Sequence, residues 1–324
     1  MVRQHNAKSA RGAWRIWRID LAYRACVRFV APPSLRPGDR VAIVAPSSPF
    51  ALPGFWSGLS WLRGRYQLVA NPSLLARDGF LAGSDELRRS ALAQAMTCPD
   101  VRAIVAARGG YGALRIAADL PWKTFEESPK WLVGFSDVTA LHAMAWRHGV
   151  CSVHGPNVTG LSSATSSAQR AAWLGAVERP EDQRRWSLRT LHAGSAEGPL
   201  VGGNLALIEA MASARLLRIA RGAVVALEDV GERPYRIDRM LTSLRVGGWL
   251  EEVSAIVFGE FFQCGAGTEG TETEEVLFER TRGLGIPVLA GAPFGHGARN
   301  DAFVLGAWAR VEPGELRWSV VSWG

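Results

Sequence analysis

The sequence predicts an α/β protein of two domains: an N-terminal, mostly parallel, three-layer sheet domain and a smaller, strand-rich C-terminal α/β domain. Three observations predict this. Short apolar runs bounded by Gly and Pro alternate with helical patterns, which is how a parallel sheet covered by helices on both faces reads. The chain has 324 residues, which suits two domains at about 100–200 residues each. A Ser/Ala-rich, then Glu/Asp/Arg-rich stretch at 162–195 breaks the pattern and reads as a surface connection. The expected division is therefore a basic extension over 1–33, an N-terminal domain over 34–165, a linker over 166–195 and a C-terminal domain over 196–324.

The extension comes first. Over residues 1–36, Arg3, Lys8, Arg11, Arg15, Arg18, Arg24, Arg28 and Arg36 face one acid, Asp20, so the whole net charge of +7 lies in those 36 residues. Trp14, Trp17 and other apolar residues are interrupted by charge, which excludes a secretory signal. The segment reads as a disordered appendage or a start-site artefact; an amphipathic, membrane-surface helix is the alternative. Strands are then expected at 41–45, 101–107 and 131–135, each a short apolar run. Between them, 85–96 reads as a helix with Leu87, Leu92 and Ala95 on one face, and 114–120 and 137–146 read as helices too. Beyond the linker, 223–227, 255–258, 286–290 and 303–311 look like strands. One clear helix covers 236–244, with Ile237, Met240, Leu241 and Leu244 at i, i+3, i+4 and i+7 and Gly247-Gly248 closing it.

Composition excludes several classes. The chain is 48% hydrophobic and 21% charged, so collagen-like, coiled-coil and wholly disordered readings fall away. No apolar run reaches the ~18–20 residues of a membrane span. Cys26, Cys98, Cys151 and Cys264 are scattered without a CxxC pair, against a disulfide scaffold or a cysteine zinc site and in favour of a reducing, cytoplasmic compartment. A neutral body with a basic tail is not a nucleic-acid surface.

In a parallel sheet, ligands bind beyond the carboxyl ends of the strands. Four such loops carry polar residues. In Gly134-Phe135-Ser136-Asp137 a strand runs straight into a helix, a turn that can expose a serine hydroxyl and set the Asp137 amide to donate to an oxyanion; a plain N-cap serine is the alternative. Arg108-Gly109-Gly110-Tyr111-Gly112 lacks a phosphate-loop signature and suits an oxyanion donor, a carboxylate clamp or simply a tight turn. Glu228 ends an apolar strand, where a carboxylate needs a partner, with Asp229 and Glu232 as rivals. His296, in Gly295-His296-Gly297, stands alone in a glycine-lined loop, as a structural residue or a general base. Together they offer a nucleophile, an acid and a base. No HExxH or other metal-ligand spacing competes.

These loops, with residues 35–47, Phe80-Leu-Ala-Gly-Ser-Asp-Glu86, Gly202-Gly-Asn-Leu205 and Pro234-Tyr-Arg-Ile-Asp-Arg-Met240, stand in an order that resembles the LD-carboxypeptidases, a serine peptidase family that includes muramoyl-tetrapeptide carboxypeptidases and microcin C immunity peptidases. The resemblance covers the chain from about residue 35. It implies a Ser136–Glu228–His296 triad, backbone oxyanion donors at Asp137, Gly109 and Gly110, a site between two domains, and a homodimer. It implies no cofactor and no metal. The substrate implied is the murein tetrapeptide, cut between meso-diaminopimelate and the terminal D-Ala; a processed aminoacyl-nucleotide toxin is the alternative, and a non-catalytic binding protein on the same fold is a third reading. A carboxypeptidase must hold a terminal carboxylate, so Arg108, Asn204, Arg233 and Arg299 are the substrate-binding candidates.

Overall fold

The structure, a computed structural model, describes residues 29–268 and 270–320. The expectations placed on 1–28 lie outside the described residues. In chain order the elements are β1 (Arg40–Val44), α1 (Leu52–Arg63), β2 (Gln67–Ala70), α2 (Asp85–Thr97), β3 (Val101–Ala106), α3 (Ala113–Ala117), α4 (Trp122–Glu127), β4 (Trp131–Gly134), α5 (Thr139–Arg147), β5 (Ser152–His154) and α6 (Ser167–Glu178). Then follow β6 (Arg184–Ser187), β7 (Arg189–His192), β8 (Ala196–Asn204), α7 (Leu205–Ser213), β9 (Val224–Val230), α8 (Pro234–Val246), β10 (Ala255–Phe262), α9 (Thr273–Thr281), β11 (Val288–Ala290), β12 (Phe303–Leu305), β13 (Trp308–Glu312) and β14 (Glu315–Ser319).

Two sheets result. The first has six strands in the order β12-β5-β4-β3-β1-β2, and the second eight in the order β6-β14-β13-β8-β9-β10-β11-β7. The first is parallel from β2 to β5. Its strands are continuous apolar runs because helices cover both faces: Val41 to Val44 and Ala103 to Ala106 are buried throughout. In the second sheet β8, β9, β10 and β11 run parallel. This puts the carboxyl ends of β4 and β9 at one junction. The expected α/β class holds.

Local signals explain the helices. Ser84 caps α2 by accepting from the Leu87 N–H, and Asp85 and Glu86 complement the positive end of the helix. A capping box of Ser166 and Gln169 starts α6. Pro234 opens α8, whose Ile237, Met240, Leu241 and Leu244 are buried as their spacing predicts.

Four expectations are corrected. First, Leu87 is exposed, and the inner face of α2 is Arg88, Leu92, Ala95 and Met96. The buried Arg88 turns the face, since its guanidinium donates to the carbonyls of Pro46 and Gly112. Second, 166–195 is no linker. It forms α6 and two edge strands, because Trp173 packs edge-on against Trp61 at 5.7 Å and Trp186 lies 4.4 Å from Trp318. Third, the run 303–311 breaks at Gly306, where φ is +90°. β12 joins the first sheet beside β5, and β13 returns to the second.

Fourth, the end of the extension is part of the body. Phe29 is buried against the Gly306 corner, where an added Cβ would fall 2.6 Å from its ring. The Val30 N–H donates to the Gly149 carbonyl at 2.7 Å, and the Trp131 indole N–H to the Pro33 carbonyl at 3.0 Å. A loose segment cannot begin at residue 33, since burying a Phe is worth about 1.5–3 kcal/mol. A chain starting at Ser34 is therefore expected to melt roughly 3–10 °C below one starting at Phe29. Equal melting temperatures by calorimetry would show that Phe29 adds nothing.

Candidate active site

β4 delivers Ser136. After Gly134 the chain passes through Phe135 into a single 3₁₀ turn, Ser136–Val138, and then into α5. Ser136 sits at φ +64°, in the left-handed region. A residue with a Cβ pays about 1–3 kcal/mol there, so its surroundings must impose the conformation. They do so by hydrogen bonds. The Phe135 N–H donates to Asn157 Oδ1 at 3.2 Å. His142 Nε2–H donates to the Gly134 carbonyl at 2.9 Å, and its Nδ1 accepts from the Ser152 hydroxyl at 2.9 Å. A carbonyl only accepts, so this pairing fixes the His142 tautomer. Asp137 is buried and accepts the Ala113 N–H at 2.7 Å; burial pushes its pKa up.

The glycine turn after β3 lies against this serine. A Cβ on Gly109 would fall 2.8 Å from Ser136 Cβ and 3.1 Å from its Oγ. Gly110 has φ +108°, and its absent side chain leaves room for Ser48, whose Oγ accepts the Tyr111 N–H at 3.1 Å. Arg88 Nη1 secures the turn through the Gly112 carbonyl at 2.9 Å.

β9 and the loop after β11 deliver the other two groups. Glu228 is fully buried, and its Oε2 accepts His296 Nδ1–H at 2.7 Å. With Nδ1 donating, His296 Nε2 is the acceptor facing Ser136 Oγ at 3.0 Å. Glu228 Oε1 has no hydrogen-bond partner. A buried carboxylate depends on the partners it has, so the His296 contact at Oε2 is what holds this side chain in place. Gly295, at φ +133°, lets the main chain pass Glu228, whose Oε2 would lie 3.2 Å from an added Cβ.

Below the three residues, Asn204 and Thr139 join the two sheets. The Asn204 N–H donates to Thr139 Oγ1 at 3.0 Å, and Asn204 pairs with Glu228 in the β8–β9 ladder. The Asn204 side chain donates to Asp229 at 2.9 Å and caps α7 at Leu207. Asp229 also accepts the Ala206 N–H at 2.9 Å, and burial pushes its pKa up to about 6.

The sequence-predicted residues thus divide. Ser136, Glu228 and His296 form one hydrogen-bonded line, with Gly109, Gly110 and Asp137 beside it. The Asn204 side chain is buried beside the triad residues, donating to Asp229 and accepting the Leu207 N–H. Arg108 is exposed and donates to the Pro49 carbonyl at 2.7 Å, Arg233 is exposed at the start of α8, and Arg299 is exposed and paired with Asp301. Glu232 pairs with Arg236 rather than with the histidine. Thr139, His142, Asn157 and Arg88 were missed. Thr139, Asn157 and Arg88 leave a trace in the sequence as Gly203, Gly134 and Gly112, whose missing side chains they replace; His142 leaves none. Among the described residues no group of three His, Cys, Asp or Glu is arranged to hold a metal, and no helix is long and apolar enough to cross a membrane.

His142 gives a measurable pH effect. Burial pushes its pKa down to about 4 from 6.5. The unfolded chain binds the proton between these values and the folded chain does not. The contribution of neutral His142 is therefore complete above pH 6.5 and is lost as pH falls towards 4. At pH 5 the loss is about 2 kcal/mol, at 1.36 kcal/mol per unit. Asp229 acts oppositely, because its raised pKa makes stability fall as pH rises from about 4 to 6, so the whole-protein profile is flatter. The clean measurement is a difference. The stability gap between wild type and His142→Gln in urea is expected to shrink by about 2 kcal/mol from pH 7.5 to pH 5; a constant gap would contradict the assignment.

Residues 41–155 match the LD-carboxypeptidase N-terminal domain, and residues 197–311 the LD-carboxypeptidase C-terminal domain. The murein tetrapeptide carboxypeptidase of Pseudomonas aeruginosa is 34% identical over 293 residues, which cover 86% of this chain and 95% of that protein. The microcin C7 self-immunity protein of Escherichia coli is 24% identical over 301 residues, 80% of this chain and 86% of that one. The crystal structure of the muramoyltetrapeptide carboxypeptidase from Oxalobacter formigenes matches with a TM-score of 0.78 and 28% identity, covering 87% of this chain and 98% of that chain.

Proposed function

The chain belongs to the LD-carboxypeptidase family, and on that premise we propose that it removes the terminal D-Ala from murein tetrapeptides with Ser136, His296 and Glu228 as its triad. The observation that carries this reading is the line Ser136 Oγ, His296 Nε2, His296 Nδ1, Glu228 Oε2, with contacts of 3.0 and 2.7 Å. Ser136 Oγ attacks the carbonyl carbon of the L-centre of diaminopimelate while His296 Nε2 takes its proton. Glu228 keeps the imidazole in the accepting tautomer and stabilises the imidazolium. The backbone N–H of Asp137 and the Gly109-Gly110 turn donate to the oxyanion. The tetrahedral intermediate collapses as His296 protonates the departing D-Ala amine, and water then hydrolyses the acyl-enzyme by the same route. Arg108, on the turn beside Ser136, is the best placed cation for the substrate's terminal carboxylate. The reaction needs no cofactor.

The murein reading stands ahead of the toxin-immunity reading because the murein relative is 34% identical and the immunity relative 24%. In this role the enzyme works in the cytoplasm as a homodimer. Cys98, Cys151 and Cys264 are unpaired, which suits a reducing compartment. The test is incubation with tetrapeptide muropeptide and, separately, with an aminoacyl-nucleotide, followed by mass spectrometry. Release of D-Ala and formation of the tripeptide support the proposal; cleavage of the nucleotide substrate alone would replace it.

A further inference from the structure

His296 has a second acidic neighbour besides Glu228, on a different strand. Glu260 lies in the last turn of pleat of β10, and its main chain and side chain reach opposite sides of the histidine. Its backbone N–H donates to the Phe294 carbonyl at 2.9 Å, two residues before His296. Its carboxylate lies against Gly297, one residue after: an added Cβ there would fall 1.5 Å from Oε2, and the three nearest atoms would all belong to Glu260. Burial pushes the Glu260 pKa up, while the Gly297 N–H and the Arg299 guanidinium favour its ionised form.

The neighbouring contacts close the clamp. The Ala292 N–H donates to the Phe258 carbonyl at 3.0 Å, and Gly259 has no side chain because a Cβ would come 2.5 Å from the Phe294 carbonyl. Gln169 of α6 holds the Ala298 carbonyl at 3.3 Å from the far side. Between these anchors the loop is irregular, with Gly295 and Gly297 flanking the imidazole. Glycines lower the cost of unusual backbone and raise the entropy that must be removed to hold one geometry. A general base working through a 3.0 Å contact needs its position held within about 0.5 Å.

We propose that Glu260 is a positioning residue for His296: it fixes the loop on both sides of the imidazole, by main chain at Phe294 and by carboxylate at Gly297, so that Nε2 stays on Ser136. This rests on the triad reading given above. Its role is through the backbone of Gly297 and does not need negative charge at the substrate. That distinguishes Glu260→Gln, which keeps an oxygen for the Gly297 N–H, from Glu260→Ala, which keeps none. Gly297 is outside the left-handed region, so Gly297→Ala acts by displacing the Glu260 carboxylate.

The experiment is the rate of covalent labelling of Ser136 by a fluorophosphonate, which reports the triad whatever the natural substrate. Wild type is expected to label and Ser136→Ala not to. Glu260→Ala is expected to label at least tenfold more slowly and Glu260→Gln within about threefold of wild type. Gly297→Ala should be as slow as Glu260→Ala, and the double variant Glu260→Ala/Gly297→Ala no slower than either, because both singles remove one contact. Circular-dichroism melts of each variant confirm folding; if Glu260→Ala is unfolded, the comparison of Glu260→Gln with Gly297→Ala carries the test. Labelling of Glu260→Ala at the wild-type rate, Glu260→Gln as slow as Gly297→Ala, or additive slowing in the double variant would each overturn the proposal. An unlabelled, folded wild type would instead overturn the triad reading.

Discussion

Replacing Ser136 by Ala is expected to lower kcat on a tetrapeptide by roughly 10⁴-fold or more, with the melting temperature unchanged within a few degrees. The size follows from the geometry. Ser136 Oγ makes one polar contact, with His296 Nε2, so removing it costs the fold little. The main chain already places residue 136 at φ +64°, and Ala meets the same strain there as Ser. The chemistry, in contrast, loses its nucleophile. His296→Ala is expected to cost about as much, and the double variant no more than either single, because the members of a triad act as one unit. Glu228→Gln should cost less. Loss of the orienting acid alone costs less than loss of the nucleophile or base, even though the amide can donate to Nδ1 and favour the wrong tautomer. The measurement is single-turnover kinetics on folded protein. Near-normal turnover by Ser136→Ala would end the serine mechanism.

Gly109→Ala is expected to reduce kcat/KM by about 10²–10³-fold. The backbone tolerates the change, since Gly109 is not in the left-handed region. The new methyl group meets Ser136 Cβ at 2.8 Å, the Phe135 carbonyl at 3.1 Å and Ser136 Oγ at 3.1 Å. A carbon–carbon contact this short does not occur, so either the serine or the turn must move well beyond a few tenths of an ångström. Both partners of the oxyanion reading are displaced together, and a misplacement approaching 1 Å is enough for about a hundredfold loss. Stability should fall by only about 1–3 kcal/mol, as for other overpacked sites. A Gly109→Ala enzyme with normal kcat/KM would remove this turn from the oxyanion site.

Much of this was legible in the sequence, for physical reasons. A buried parallel strand must be apolar on both faces, so Val41 to Val44 and Ala103 to Ala106 announce themselves in a few residues. A helix with one buried stripe does the same, as α8 shows. The hydrogen-bonded line of Ser136, His296 and Glu228 was legible because each residue ends a strand-and-loop unit whose local signature is short, and the family resemblance joined the three. What was not legible depends on distant partners. Trp186 stands between Arg185 and Ser187, and Trp318, far away in the chain, makes it core; Trp173, in an Ala-rich stretch, is made core by the equally distant Trp61 and Tyr66. The inner face of α2 was misjudged because Arg88, a charged residue, occupies it to serve two carbonyls elsewhere. Nothing local to Asn204 shows that Asp229, 25 positions on, accepts its amide.

The path of β12 has a consequence for how such an enzyme can change. The chain leaves the second sheet after β11, contributes a border strand to the first beside β5, and returns as β13. The two halves are laced together by their own main chain. A fragment carrying only the first half would leave the β5 edge bare, an open template for unwanted pairing. Neither half is therefore a module that recombination can trade alone, although each matches its own family domain. New substrate preference has to come through the exposed side chains around Ser136, such as Arg108 and Tyr111, while the lacing keeps Ser136 and His296, from opposite halves, in register.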